Sequence, residues 1–420
     1  MSKKKEKKIA FVGISHLSLS YIAVALKKGF EVYVFDTDQE LINKVKNNKL
    51  FYQEPNLDKV FNNFKSKIHF LNDFKEINKL KIIFIAKDIK TDENGNSNLF
   101  EVKNLIKKTI KFIKRKTSII LLSQIPPGFM RKINFPKSQL YYQVETLVFG
   151  QALKRAMNPE RIIIGCADKR KKINSDYNSF LKKFDCPVIR MSYESAELTK
   201  IAINLYLASS ITTSNTLSRI CEKINANWSE IMPALKLDKR IGRFAYLKPG
   251  LGITGGNIER DVTTIKKILN SDKIFQSLPL TINKISRQMK SWVFNKLQKK
   301  NFIKKKNVIG ILGLTYKINT NSIKNSVSIE LLKKIKNKVV VYDPKVKLNL
   351  SFSNITQVHS KELICKYANI IIIMTPWPEF KFIEKFIQHF KKEKIVIIDP
   401  FSFLKKELFL KNKIKYYSLF

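Results

Sequence analysis

The chain has 420 residues, 44% of them hydrophobic and 11% aromatic, which excludes intrinsic disorder and leaves room for two or three domains with proper cores. Its formal net charge of +45 raises nucleic acid or an anionic membrane as partners. The excess is mostly Lys, spread along the chain amid abundant Asn, Ile and Phe as in an A+T-rich gene. It does not form Arg-rich clusters interleaved with aromatics, so nucleic acid is not the expected main partner, though small anions would be drawn in.

At the start, "MSKKKEKKIAFVGISHLSLSYIAVAL" imitates a signal peptide, but Gly13, Ser15, His16, Ser18 and Ser20 interrupt its apolar run. No small-residue cleavage site follows, so the stretch predicts strand, turn and helix in a cytoplasmic protein. "KKIAFVG", "LSLSYIAVALKKG" and "EVYVFDTD" read as strand, helix and strand. "KIIFIAKD", "SIILLSQ" and "RIIIGCA" continue the series between amphipathic Lys-rich stretches, as a doubly wound parallel sheet requires.

From "SYESAELTKIAINLYLASS" onward a long proline-free stretch repeats apolar residues at three and four, predicting one long helix or two. "SLPLTINKISRQMKSWVFNKLQKK" is helical as well. "NVIGILGLTYK", "KVVVYDP", "ANIIIIMTPWPEF" and "KIVIIDP" then form a second α/β series. The expected fold is therefore α/β, two Rossmann-like doubly wound domains (residues 1–193 and 301–420) joined by a central helical segment (194–300). The apolar run at Ile370 is too short to span a bilayer, so no membrane is expected. Cys166, Cys186, Cys221 and Cys365 are scattered without ligand spacing, which fits a reducing compartment and no metal.

Two motifs carry chemistry. A dinucleotide site wants G-x-G-x-x-G between strand and helix, and an acid about twenty residues on. "GISHLS" keeps Gly13 and puts Ser15 and Ser18 at the later glycine positions, while Asp36 ends the next strand. These residues fit either a dinucleotide site or a doubly wound domain that no longer binds one. The second motif, "GLGITGGNIERD", packs Gly250, Gly252, Gly255 and Gly256 together, implying that a ligand docks there.

In order along the chain, "KIAFVGISHLSLS", "FDTD", "KTDENGNSNL", "SQIPPGF", "NPERIIIG", "SAELTKIAINLYLA", "RIG", "GLGITGGNIERD", "GLTYKINTNSIKNS", "VYDP" and "TPWPEF" resemble the UDP-glucose/GDP-mannose dehydrogenase family. The resemblance runs from about Lys8 to about Pro400. It implies NAD-dependent four-electron oxidation of a nucleotide sugar's C6 alcohol to a carboxylate, through a cysteine-bound thiohemiacetal and thioester. It also implies an N-terminal NAD domain, a helical homodimer interface and a C-terminal domain holding the diphosphate of a UDP-hexose.

Carried over by this resemblance, Lys200 and Asn204 match residues that stabilise oxyanion character, and their i, i+4 spacing puts them on one helix face. Lys200 alone, in so Lys-rich a chain, reads as a surface lysine; only the resemblance assigns it a catalytic role. Glu145 matches a catalytic Glu, and Asp261 a water-activating Asp. Gly13, Ser15, Ser18 and Asp36 are the implied cofactor residues, together with Lys324, which stands in place of a phosphate-binding Arg. Arg240 matches an Arg serving the neighbouring subunit's sugar nucleotide. Lys317, Gly252, Gly255 and Gly256 are the implied substrate contacts.

Three positions depart from the pattern: Gln124 replaces a Thr, Phe401 an Arg, and Asn257 the nucleophilic Cys. A carboxamide has no ionisable nucleophile. The expected function is thus an NAD-dependent dehydrogenase that stops at the aldehyde or oxidises its hydrate without a covalent adduct. The alternative is a nucleotide-sugar-binding protein that has lost oxidation. Asp36, with no Arg adjacent in "FDTD", predicts NAD over NADP.

Overall fold

The computed structural model describes residues 7–420 apart from 51, 53, 93–94, 349–352 and 391–394. The basic start Met1–Glu6 of the signal-like stretch, Glu93–Asn94 of "KTDENGNSNL" and Lys394 of "KIVIIDP" lie outside the described residues. The chain forms two compact units, Met1–Ile203 and Asn204–Phe420.

In the first unit, the strands are β1 (Lys8–Val12), β2 (Glu31–Phe35), β3 (Ile68–Phe70) and β4 (Ile82–Ile85), then the small hairpin β5 (Lys90–Thr91) and β6 (Ser97–Asn98), then β7 (Ser118–Leu121), β8 (Leu140–Val144), β9 (Ile162–Cys166) and β10 (Val188–Ser192). Eight of them form one sheet in the order β10-β9-β8-β7-β4-β1-β2-β3, parallel except where β8 meets β9. Around it lie α1 (His16–Lys27), α2 (Gln39–Lys46), α3 (Leu57–Asn63), α4 (Phe100–Phe112), α5 (Ala152–Met157) and α6 (Ser175–Leu181). The two-residue period of a strand divides β1 between two cores. Ile9 and Phe11 pack with residues of α1, α3, α5 and α6, whereas Ala10 and Val12 pack with Val102, Leu105 and Ile106 of α4. Strand order reverses at β1, flanked by β2 and β4, and such a switch point is where open α/β sheets bind ligands.

The proline-free stretch is one helix, α7 (Tyr193–Ile224), followed by α8 (Trp228–Leu237). The second unit continues with α9 (Asn257–Ile268), α10 (Lys273–Lys290) and α11 (Trp292–Lys299). Its sheet is built from β11 (Ile309–Leu312), β12 (Val339–Tyr342), β13 (Ile355–Gln357), β14 (Ile370–Ile373), β15 (Val396–Asp399) and β16 (Lys415–Ser418). All pairs are parallel, in the order β13-β12-β11-β14-β15-β16, so β11 repeats the reversal seen at β1. Among the described residues, no helix is long and apolar enough to cross a membrane, and no group of three or more His, Cys, Asp or Glu is placed to hold a metal.

Candidate active site

The first unit holds a turn between β1 and α1. Gly13 sits there at φ +94°, and a Cβ would come within 2.9 Å of the Ala86 carbonyl oxygen, so glycine is required. Ser15 caps α1: its Oγ accepts from the Ser18 amide at 3.1 Å and donates to the Ala86 oxygen at 2.9 Å. Ser18 Oγ accepts in return from the Ser15 amide at 2.7 Å, which makes a capping box. Both serines are fully buried, their hydroxyls engaged within the turn and with the neighbouring strand. The later glycine positions of the fingerprint are therefore filled by side chains that fold back on the helix start. The turn and the helix N-terminus stand as the pyrophosphate of a dinucleotide needs them, and these residues fit NAD.

Asp36 is fully buried and more occupied than the sequence suggested. It accepts from the amides of Ile14 at 2.5 Å and Asp38 at 2.9 Å, and from Lys87 Nζ at 2.8 and 3.1 Å. Lys87, just past β4, is 51 residues away in sequence, and only the strand order brings it here. His16 also went unread: it bonds Glu54 at 2.7 Å and stacks on Phe149 at 4.1 Å. Glu54 in turn accepts from the amides of Gly150 at 2.6 Å and Ala152 at 3.0 Å, tying the segment after β8 to α1.

Glu145 follows β8 inside a buried polar network. Tyr21 donates its hydroxyl to Glu145 Oε1, and Gln143 Nε2 donates to the same oxygen at 2.6 Å. Gln143 Nε2 also reaches the Tyr21 oxygen at 2.9 Å, and the Tyr177 hydroxyl donates to Gln143 Oε1 at 2.8 Å. Burial raises the Glu145 carboxyl to about 7, against the lowering effect of the Tyr21 and Gln143 bonds and of the Lys200 charge. A carboxyl so poised suits proton transfer near neutral pH. One turn before Lys200 on α7, Glu197 accepts from the amides of Gly128 at 2.5 Å and Met130 at 2.7 Å, within and just after "SQIPPGF". Burial raises its carboxyl despite those bonds. Gln124 lies half-buried in the same loop.

In the second unit, the space left by the missing side chains of the glycine stretch is taken by protein. A Cβ on Gly252 would lie 2.5 Å from the Ser286 carbonyl oxygen, and one on Gly255 (φ +87°) 2.5 Å from the Tyr316 ring. Gly256 caps α9, with Lys324 Cε 3.4 Å from where its Cβ would stand. Asn257 is the exposed first residue of α9, and Asp261 follows one turn later, 1% exposed. Asn204 Nδ2 donates to Asp261 Oδ2 at 2.5 Å, and Arg260 Nε lies 3.4 Å from Oδ1. Glu259 joins Lys290 at 2.6 Å and Asn325 at 2.5 Å, tying α9 to α10 and to the chain after β11. Lys317 Nζ is 5.7 Å from the Tyr316 ring centroid. Asn204, the glycines, Asn257, Asp261, Lys317 and Lys324 are thus assembled around one loop. Lys324, grouped with the cofactor residues on sequence, stands at this loop beside Gly256. Arg240 is exposed and makes a two-pronged ion pair with Asp238, at 3.0 and 2.6 Å. Phe401 lies beside Gly250.

Residues 7–184 match the NAD binding domain described for the UDP-glucose/GDP-mannose dehydrogenase family, residues 194–287 its central domain and residues 310–406 its UDP binding domain. A UDP-glucose 6-dehydrogenase of Rickettsia prowazekii is 28% identical over 436 residues, covering 98% of this chain and 99% of its own. A UDP-glucose 6-dehydrogenase of Bacillus subtilis is 28% identical over 399 residues, covering 90% and 85%. A solved UDP-glucose dehydrogenase from Pyrobaculum islandicum shares the fold, with a TM-score of 0.83 at 21% identity over 100% of this chain and 99% of that one.

Proposed function

The chain belongs to the UDP-glucose/GDP-mannose dehydrogenase family, and from that premise we propose that it oxidises the C6 alcohol of a UDP-hexose without a covalent intermediate. It is an NAD-dependent nucleotide-sugar dehydrogenase. Gly13, Ser15, Ser18 and Asp36 are the residues to hold NAD, which when bound supplies the hydride acceptor. Glu145 takes the proton of the C6 hydroxyl, a role suited to a carboxyl that ionises at about 7. Lys200 and Asn204 stabilise the oxyanion as the alcohol loses its proton and a hydride to become an aldehyde. Asp261 takes a proton from the water that adds to the aldehyde and returns it to the former carbonyl oxygen, giving the hydrate. Once a second NAD has replaced the reduced one, the hydrate can lose a second proton and give that NAD a second hydride to yield the acid. Arg240, Lys317 and Lys324 supply positive charge for the diphosphate.

One observation carries the non-covalent reading. Asn257 heads α9 at the end of the glycine loop, one turn before the Asp261 that Asn204 holds at 2.5 Å. An amide there can hydrogen-bond an aldehyde but cannot attack it. The cysteines do not make up for it. Cys166, Cys221 and Cys365 are buried, and burial raises the Cys166 and Cys186 thiols rather than activating them. We also assign a homodimer face to α7 and α8, where Tyr206, Ile220, Ile224 and Leu237 are exposed.

The test is incubation with NAD and a panel of UDP-hexoses, following NADH absorbance and quenching samples for intact-protein mass spectrometry. NADH formation with no substrate-derived mass on the chain supports the proposal. A covalent adduct during turnover overturns the non-covalent step, and tight UDP-sugar binding with no NADH from any sugar overturns oxidation.

A further inference from the structure

An acid at the end of the second strand selects NAD by accepting from the ribose 2′-hydroxyl and repelling a 2′-phosphate, whereas a neighbouring cation accommodates the phosphate. Asp36 does not stand alone in this way. A carboxylate offers about four acceptor positions, and those of Asp36 are taken. Its Oδ2 receives Ile14 N and Lys87 Nζ, and its Oδ1 receives Asp38 N and Lys87 Nζ. The Lys87 side chain is 13% exposed against 0% for Asp36, so the cation is the partner nearer to solvent.

The root of Lys87 is fixed as well. Ser123 Oγ accepts from the Lys87 amide and donates to the Lys87 carbonyl, both at 2.8 Å, clamping the residue at the end of β4. Other acids nearby are engaged elsewhere. Asp38 accepts from the amides of Glu40 and Leu41, Glu40 pairs with Lys44, and Asp88 accepts from Tyr52. The ammonium is therefore set against a carboxylate whose repulsion of an incoming phosphate it cancels.

We propose that Lys87 makes the adenosine-ribose corner accept a 2′-phosphate, so that this enzyme binds NADP as well as NAD. The proposal rests on reading Gly13 to Asp36 as the dinucleotide site. A 2′-phosphate draws the Lys87 ammonium between itself and Asp36, while a 2′-hydroxyl leaves the existing pair in place. The expectation of NAD over NADP was drawn from "FDTD" alone, without Lys87, which arrives from another strand.

Calorimetric titration of the full-length protein with NAD, NADP, AMP and adenosine 2′,5′-bisphosphate tests this. The unmodified protein should bind NADP within about tenfold of NAD, with the NADP affinity falling more steeply as salt is added. Lys87→Met keeps the stem and removes the charge. It should weaken NADP and the bisphosphate by roughly tenfold or more relative to NAD and AMP. Lys87→Arg, which keeps Asp36 paired, should retain NADP binding even if the Met variant does not fold. NADP more than about a hundredfold weaker than NAD in the unmodified protein would overturn the proposal. Equal losses for both cofactors in Lys87→Met would reduce Lys87 to a structural partner of Asp36 and overturn it too. Failure of all four probes to bind would overturn both the proposal and the dinucleotide reading, whereas AMP and NAD binding alone would sink only the former.

Discussion

Replacing Tyr21 by Phe should move the pH dependence of this enzyme by about one unit toward alkaline. Tyr21 is 2% exposed, and its ring lies 6.5 Å from that of Phe84, so Phe fills nearly the same space. What is lost is the hydroxyl donated to Glu145, while Gln143 keeps its own bond to the same oxygen at 2.6 Å. A hydrogen bond to a charged group contributes about 1.5–3 kcal/mol, or about one to two pH units. With Gln143 compensating in part, the carboxyl should rise from about 7 to about 8. As a base, Glu145 works ionised, so the rising limb of kcat/KM against pH should shift upward with it. At pH 7 the ionised fraction drops from about a half to about a tenth, a roughly fivefold loss of rate that disappears by about pH 9. Stability moves in the matching sense. Because the folded-state value lies above the ordinary 4.5, the folded protein holds its proton longer. Stability then declines as pH rises from about 4.5 to about 7, and to about 8 in the variant. Rate profiles and thermal melts across this range measure both. A rising limb that stays put, or moves toward acid, would refute the assignment of Glu145 as the base and of Tyr21 as its tuner.

Asn257→Cys should permit a thiohemiacetal or thioester, seen as a substrate-derived mass on protein quenched during turnover; an active variant without one would count against the loop as the reacting site. Gly255→Ala places a methyl 2.5 Å from the Tyr316 ring at φ +87° and should destabilise the protein by about 1–3 kcal/mol in urea unfolding, with weakened UDP-sugar binding. Glu197→Ala strands the amides of Gly128 and Met130 and should cost about 2–4 kcal/mol in the same assay, with little change if the "SQIPPGF" loop is held by other contacts. Sedimentation at micromolar concentration should give a dimer, and the exposed change Ile224→Glu on α7 should shift it toward monomer.

The architecture was legible because β4, β11 and β14 are short, wholly apolar runs and β1 is one after Lys8, and a strand buried on both faces has little choice of composition. The helical character of the α7 stretch was legible from its period, which left open whether it forms one helix or two. Side-chain partnerships were not. The pairing of Asn204 with Asp261 spans 57 residues and that of Lys87 with Asp36 spans 51, so each depends on topology. Resemblance marked Asn204 and Asp261 as members of one site, but nothing marked Lys87, Glu197 or the Tyr21–Gln143 pair under Glu145. The glycines of the Gly250–Gly256 loop were noticed as a sign of close approach, and the approach is made in part by Ser286 and Tyr316. A glycine in a sequence announces that something comes near without saying what.

The Ser15–Ser18 capping box also constrains how this chain can change. Returning Ser15 alone to glycine would take the acceptor from the Ser18 amide and the donor from the Ala86 carbonyl. Returning Ser18 alone would take the acceptor from the Ser15 amide. Each single step leaves a buried polar group without its partner, costing about 1–3 kcal/mol, and adds the extra chain freedom of glycine, about 0.5–1 kcal/mol. The two hydroxyls thus support each other across the helix start, and removing either one weakens the cap that the other helps to build.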